Sequence, residues 1–519
     1  MRSGRECTRI SPHPGPLPVQ GRGRKYKITP SAAPPLSPPS PKRIAIIGGG
    51  ISGLAAANRL RELLPDAHVT LFESSDRLGG VLQTVERDGY LIERSADMFT
   101  TREPYALDLC QRIGLADELI NTDPRYRRAF VIHRGQLVPV PEGFTLMSPA
   151  KVWPVLRTPL LSPLGKLRLA YEYFVPQKKD DADESLTSFA LRRFGKEAFE
   201  RLIQPLIGGI YTADPDCLSM QATLQQFVEF EKKYGSLIRA MRTTQAKTKG
   251  KSKDSGARYG QFLAPRLGMS QLIRALADQL PPDCIQLRTR VERIERAPAG
   301  SAAHWCLFLD HSPAPLPFDD LIVAAPAYAC PPLLERIAPA LSSLIQKIPH
   351  AGCSVVVLGY PKSQIEHPLN GFGFVAPRIE QRKIIAGSLA SVKFAGRAPD
   401  GRVLLRVFVG GALQPELNQL DDAELQILVR AELHDLLGVT GDPEFCLINR
   451  WLGVMPQYHV GHVPLAAQID AAANALPHFA LAGNAYHGVG IPFCIHSGEQ
   501  AAERITNLPL LGAPGRASG

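Results

Sequence analysis

Four residues near the front of the chain are spaced to hold a phosphate-linked dinucleotide: Gly48, Gly50, Gly53 and Glu73. In a Gly-x-Gly-x-x-Gly turn the first glycine makes the tight reversal. The second lets backbone approach a pyrophosphate, and the third lets a helix pack close to a strand. The pyrophosphate is expected on the unsatisfied N–H groups and positive dipole end of the following helix, with Ile51 and Ser52 in its first turn. About twenty residues beyond the last glycine, Glu73 is placed to accept hydrogen bonds from ribose hydroxyls.

Those residues need a particular set of elements around them. Residues 43–47 form a short apolar run suited to a buried parallel strand. Leu54, Ala57, Leu60, Leu63 and Leu64 repeat at helical spacing across 51–64, and 68–73 alternates like a second strand that ends on the acid. Strand, glycine turn, helix, strand and acid together favour dinucleotide binding over a plain structural turn.

The chain has 519 residues, enough for two or three domains, and a formal charge of +10. Residues 1–41 carry Arg2, Arg5, Arg9, Arg22, Arg24, Lys25 and Lys27 against Glu6 alone, so +6 of that excess sits in the leader. The leader is rich in Pro, Ser and Arg, has no apolar periodicity and lacks the apolar core of a secretory signal; it is expected to be disordered. The remaining positive charge suits anionic substrates or an anionic membrane surface, and no nucleic-acid-binding module accompanies it. Nine cysteines are scattered without a Cys-x-x-Cys pair, which reads as reduced thiols in a cytoplasmic protein. No apolar span of 18 residues is present, so membrane attachment would be peripheral.

Arg77-Leu78-Gly79-Gly80 follows the acid directly. The whole run from 42 to 80 resembles the FAD-binding signature of the amine oxidase and protoporphyrinogen oxidase superfamily. The resemblance implies FAD, with Ser74, Arg77, Gly79 and Gly80 beside its ribose and pyrophosphate. It sharpens at Glu93, which opens a motif leading into the substrate cavity; Ser95-Ala96 stand here where Gly-Pro is usual. Arg102 falls where some relatives place a basic residue facing a porphyrin propionate. Residues 184–220, ending in Gly-Ile-Tyr-x-x-Asp-Pro and Leu-Ser, resemble the family's segment between flavin and substrate, which makes Tyr211 a substrate-side candidate. By the same resemblance Val291 leans on the adenine and Asn484 lies by the ribityl chain. A helix is expected to start near Pro492, after Gly490 and Ile491, and the resemblance implies that its N–H groups face the flavin's N1–C2=O edge. Phe493 replaces the family's usual Asp after that proline.

The expected fold is α/β, or α+β overall: a Rossmann-like discontinuous FAD-binding domain, a mixed-sheet substrate domain and a helical insertion. Segments 42–106, 259–328 and 456–508 are assigned to FAD binding, 107–258 to the helical, substrate-cavity and membrane-contact region, and 329–455 to the substrate-binding sheet; 1–41 and 509–519 are terminal extensions. Residues 130–144 read as a hairpin at the edge of the helical region, turning at Arg134-Gly135. Residues 354–360, 371–377, 383–386, 403–411 and 447–451 read as strands, 421–437 as an amphipathic helix and 242–259 as a solvated linker. Residues 151–175 mix apolar side chains with Lys151, Arg157, Lys166 and Arg168, which suits either a buried helix pair or a segment lying on anionic headgroups. His459 and His462 lie three apart without an evident third ligand, so the metal assignment is none.

No Gly-x-Ser-x-Gly elbow, His-Glu-x-x-His or complete phosphate loop is present, as expected when a flavin carries the chemistry. The resemblance implies oxidation of a porphyrinogen, either coproporphyrinogen III or protoporphyrinogen IX, in haem biosynthesis. Oxygen would be the acceptor and hydrogen peroxide the by-product, with no catalytic side chain named. It further implies peripheral contact with the inner membrane and transfer of product to a downstream haem-pathway chelatase. A flavin amine oxidase or carotenoid desaturase, and a non-catalytic FAD-binding protein, are the competing expectations.

Overall fold

Ile44, Ala45 and Ile46 have no solvent exposure, which explains the unbroken apolar run around them. In the computed structural model, which describes residues 41–149, 151–248 and 259–506, they lie in the middle of a five-stranded parallel sheet. Its spatial order is Ile285–Gln286, His68–Phe72, Arg43–Ile47, Asp320–Val323, Phe479–Leu481. In chain order that is 3-2-1-4-5, the doubly wound arrangement whose ligands bind where the strand order reverses, at the carboxyl ends of the strands. The leader through residue 40, residues 249–258 of the expected linker, and the tail from 507 lie outside the described residues.

Two helices far apart in sequence cover one face of this sheet. Ile51–Leu63 and Ile491–Ile505 pack so closely that a Cβ on Gly498 would fall 2.1 Å from the Ser52 carbonyl oxygen. Arg59 Nε donates to Glu503 Oε1 at 2.9 Å across the same seam. The opposite face is covered in part by the meander Val291–Arg296, Trp305–Leu309 and Leu316–Phe318.

A second sheet has seven strands, in the order Phe445–Pro456, His350–Pro361, Arg402–Gly410, Ala386–Leu389, Gly373–Val375, Ala129–His133, Gln136–Pro139. All neighbours are antiparallel except Gly373–Val375 with Ala129–His133, so the sheet is mixed. The hairpin expected at 130–144 forms, turning at Arg134-Gly135; it extends this sheet, and its Val131 and Val138 pack into the core of the helical region. The strand expected at 383–386 begins at Ala386. Alternation assigns the faces. Val403, Leu405, Val407 and Val409 pack on the helix Asp422–Leu437, whose N-cap Asp421 forms a reciprocal capping box with Glu424. Leu404 and Arg406 point the other way, toward the first lobe.

The helical region builds its own core around Phe189, Phe194, Leu202 and Ile203. Its helix Gln204–Tyr211 abuts the mixed sheet, where a Cβ on Gly209 would sit 3.1 Å from Val375 Cγ1. The residues 151–175 resolve into short helices Val152–Arg157 and Pro163–Ala170 and a 3-10 turn Tyr171–Phe174. Only part of their apolar surface is buried.

A dinucleotide cradle and the lobe above it

The glycine turn is built as its spacing requires. Gly48 takes φ +111°, a region that L side chains rarely adopt, and donates to the Phe72 carbonyl at 2.8 Å. A Cβ on Gly53 would lie 2.0 Å from the Gly48 carbonyl oxygen, so helix and turn touch there. At Gly50, by contrast, a Cβ would meet nothing within 4 Å. The chain therefore crowds two of the three glycines and leaves open space before the one meant to face a pyrophosphate.

Gly50 is also the N-cap of Ile51–Leu63, extended and without a side-chain cap, so the N–H groups of the first turn are left for an anion. Ile51 and Ser52 are buried beneath that turn. Gly490 has the same role on Ile491–Ile505: extended, without a side-chain cap, followed by Ile491 and Pro492. The two bare helix starts belong to helices packed against each other, so both dipoles bear on the carboxyl edge of the parallel sheet.

Glu73 accepts the Gly49 N–H through Oε2 and the Ser75 N–H through Oε1, each at 2.8 Å. Its carboxylate thus braces the turn, and each oxygen keeps a lone pair for a ribose hydroxyl. Ser74 is exposed beside it. Arg77 folds back onto its own loop, donating to the carbonyls of Gly80 at 2.6 Å and Leu78 at 3.2 Å. It fixes Gly79 and Gly80, both at positive φ, and Gly79 N–H donates to Gly49 O at 2.8 Å, joining the loop to the cradle. Val291 is buried at the head of its strand, against the sheet core. Asn484 lies in the loop after Phe479–Leu481, at the same carboxyl edge. These residues fit FAD: the open face at Gly50, the two bare helix starts and the terminal acid lie together at the carboxyl edge of the parallel sheet.

Arg102 sits half-exposed before the helix Tyr105–Arg112, with Glu103 Oε1 at 3.8 Å from its Nε. Burial pushes the Tyr211 phenol up to about 12, and the Arg102 charge offsets part of that rise. The Tyr211 hydroxyl itself donates to the Thr223 carbonyl at 3.1 Å, which leaves its ring as the surface it can offer.

Sequence reasoning missed a buried charge cluster where the lobes meet. Asp97 takes Lys393 Nζ at 2.5 Å and Arg406 at 2.9 Å. Arg397 donates to the carbonyls of Arg266 and Pro265. Burial pushes Asp97 up, but Lys393 and Arg406 outweigh it and hold the carboxyl at about 2. Glu93 accepts Met269 N–H at 2.7 Å and the Thr84 hydroxyl at 3.0 Å; its burial raises the carboxyl to about 7. The cluster anchors the loop at Ser95-Ala96, where Gly-Pro is usual, and Ser95 Oγ donates to Val81 O at 2.5 Å, next to the Gly79–Gly80 turn. The available signal was Arg406, a lone cation inside the apolar run VLLRVFVG.

A nucleotide cradle roofed by a mixed-sheet lobe defines a two-lobed flavoprotein. The model of the family described as flavin containing amine oxidoreductase matches residues 51–506, and the chain belongs to that family. The chain is 35% identical over 473 residues to the coproporphyrinogen III oxidase of Bacillus subtilis (strain 168), covering 90% of this chain and 98% of that protein. It is 30% identical over 488 residues to protoporphyrinogen oxidase 2 of Arabidopsis thaliana, with 90% and 94% covered. A solved structure from Exiguobacterium sp. 255-15, proposed to be a protoporphyrinogen oxidase, superposes with a TM-score of 0.79 at 31% identity, covering 90% of this chain and 98% of that one.

Among the described residues no group of His, Cys, Asp or Glu could hold a metal ion, and no helix is long and apolar enough to cross a membrane. The described cysteines are free thiols.

Proposed function

We propose that this chain oxidises a porphyrinogen to the porphyrin in haem biosynthesis, with coproporphyrinogen III preferred and oxygen as the acceptor, releasing hydrogen peroxide. The observation that carries this reading is the span of the match: it runs nearly end to end along a coproporphyrinogen III oxidase, through the cradle and the roofing lobe alike. Bound FAD would supply the hydride acceptor and the electron route to oxygen.

The chain's own residues bind and orient. Gly50 and the first turn of its helix hold the pyrophosphate, and Glu73 holds the ribose. The bare helix start at Gly490 favours negative charge at its end of the crevice. Arg102 offers a cation at the crevice mouth for a substrate carboxylate, and four carboxylates on coproporphyrinogen III use such a group better than two. No side-chain acid or base is assigned.

Peripheral contact with an anionic membrane belongs to the same proposal. Trp153, Leu164, Leu167 and Phe174 stand 71%, 77%, 67% and 72% exposed on consecutive short elements, beside exposed Arg157. Apolar side chains presented together with basic ones suit an interface rich in anionic lipid. The product pairs a flat apolar macrocycle with retained carboxylates, and direct transfer to a chelatase is part of this reading.

Purified protein incubated in air with coproporphyrinogen III or protoporphyrinogen IX should develop porphyrin fluorescence faster than enzyme-free controls. The ratio of initial rates assigns the substrate. A flavin-loaded protein that accelerates neither oxidation overturns the proposal.

A further inference from the structure

The segment Pro456 to His462, which reads PQYHVGH, joins no group of three His, Cys, Asp or Glu among the described residues, and its geometry points to other work. Its backbone is stapled to the end of the helical region. Tyr458 O accepts the Ser219 N–H at 2.8 Å, and Val460 N–H donates to Cys217 O at 2.9 Å. Gln457 Nε2 reaches the Tyr211 carbonyl at 3.5 Å. One side of the segment is therefore fixed to the wall that carries the substrate-side candidate.

Its side chains are fixed to the opposite wall. Tyr458 is 3% exposed; its hydroxyl donates to Asn484 O at 2.7 Å and accepts the Gly488 N–H at 2.8 Å. The His462 ring stacks on the Tyr458 ring with centroids 3.8 Å apart, and its Nε2 bonds the Tyr486 carbonyl at 3.0 Å. A carbonyl can only accept, so Nε2 carries the proton. Two side chains thus hold three backbone groups of the loop that runs from Gly483 to the bare helix start at Gly490. A loop of that length held by its own chain neighbours alone would not keep those groups in one place.

We propose that Tyr458, backed by His462, is a positioning residue that sets the 484–490 loop against the flavin and links that loop to the substrate-side wall. The proposal rests on FAD occupying the crevice. The hydroxyl satisfies one acceptor and one donor at once, and phenylalanine can do neither while filling the same volume. Losing it frees Asn484 O and Gly488 N–H to seek other partners, which shifts the helix start that follows them.

The test is Tyr458→Phe in the full-length, FAD-loaded protein, read by the flavin reduction potential through dye equilibration without substrate. The expected result is a lowered potential, an altered visible flavin spectrum, and about tenfold weaker FAD retention. Tyr486→Phe removes a buried hydroxyl that bonds none of these backbone groups, and should leave the potential unchanged. If Tyr458→Phe fails to fold, His462→Phe preserves the stack, removes the bond to Tyr486 O, and should lower the potential in the same sense. Wild-type potential and spectrum in a folded, FAD-loaded Tyr458→Phe overturn the inference. So does an equal shift in Tyr486→Phe. Because no substrate enters these readings, failure of the porphyrinogen assignment would leave them standing, and a wild-type chain that retains no FAD would overturn both.

Discussion

Glu172 accepts the Nε–H of Arg193 at 2.9 Å, and neither side chain has any solvent exposure. The same carboxylate takes the Ser236 hydroxyl at 2.6 Å and the N–H groups of Leu237 and Ile238, which start the helix Leu237–Thr248. Arg193 also donates to the carbonyls of Val175 and Gly235, and its Nη1 lies 3.4 Å from a second buried carboxylate, Glu231. With Glu172 pulled inward in a single 3-10 turn, its neighbours Tyr171 and Phe174 face solvent, so the exposed aromatic surface is rigidly presented. Arg193→Leu leaves an uncompensated buried carboxylate and should cost about 3–5 kcal/mol, lowering the denaturant midpoint. The double change with Glu172→Leu should recover part of that loss. A single variant as stable as wild type would show that the pair is not what secures this turn.

Gly50→Ala and Gly53→Ala should behave differently. The first points a methyl into open space from an extended backbone and should leave the apo-protein's melting temperature unchanged while stripping FAD. The second drives a methyl into the Gly48 carbonyl and should lower the yield of folded protein. A yellow, fully loaded Gly50→Ala would remove the pyrophosphate from that position.

The buried carboxyls predict opposite pH responses. Asp97 sits at about 2 against an ordinary value of 3.8, so its stabilisation is complete above that value and is lost as pH falls toward 2. Glu93 sits at about 7 against 4.5, so the folded state favours its protonated form, and its contribution declines as pH rises from 4.5 to 7. Glu93→Gln should gain on wild type by roughly 3 kcal/mol across that interval and run parallel above it. Urea midpoints of the two proteins from pH 4.5 to 8 measure this directly. Curves parallel throughout would mean Glu93 titrates normally.

Replacing Leu164, Leu167 and Phe174 by serine should weaken sedimentation with vesicles containing anionic phosphatidylglycerol by tenfold or more, each side chain contributing about 1.5–3 kcal/mol when fully buried. Oxidase activity in detergent-free buffer should not change. Equal sedimentation of variant and wild type would exclude this surface as the membrane contact.

What could be read ahead of the structure was whatever the chain writes locally. Gly48, Gly50, Gly53 and Glu73 fall within one strand–helix–strand unit, so spacing alone set out their geometry. Asp97 and Arg406 are 309 positions apart, and nothing near either announces the other. The hairpin at 129–139 was legible from its alternation and turn, yet its attachment to Gly373–Val375 is a parallel pairing between residues 244 positions apart, which local pattern does not encode. His459 and His462 stand out in the sequence only for their spacing, while the use of Tyr458 and His462 depends on backbone groups at Asn484, Tyr486 and Gly488.

The seam between Ser52 and Gly498, tied by Arg59 and Glu503 across 444 positions, dictates when the protein can become coloured. A nascent chain displays the glycine turn early, with only half of its crevice built, while synthesis proceeds through the whole helical and mixed-sheet region. The second bare helix start arrives only with the distal helix. If both helix starts hold the flavin, ribosome-bound chains that end before Gly498 should carry no bound colour, and release of the full chain should be followed by its appearance.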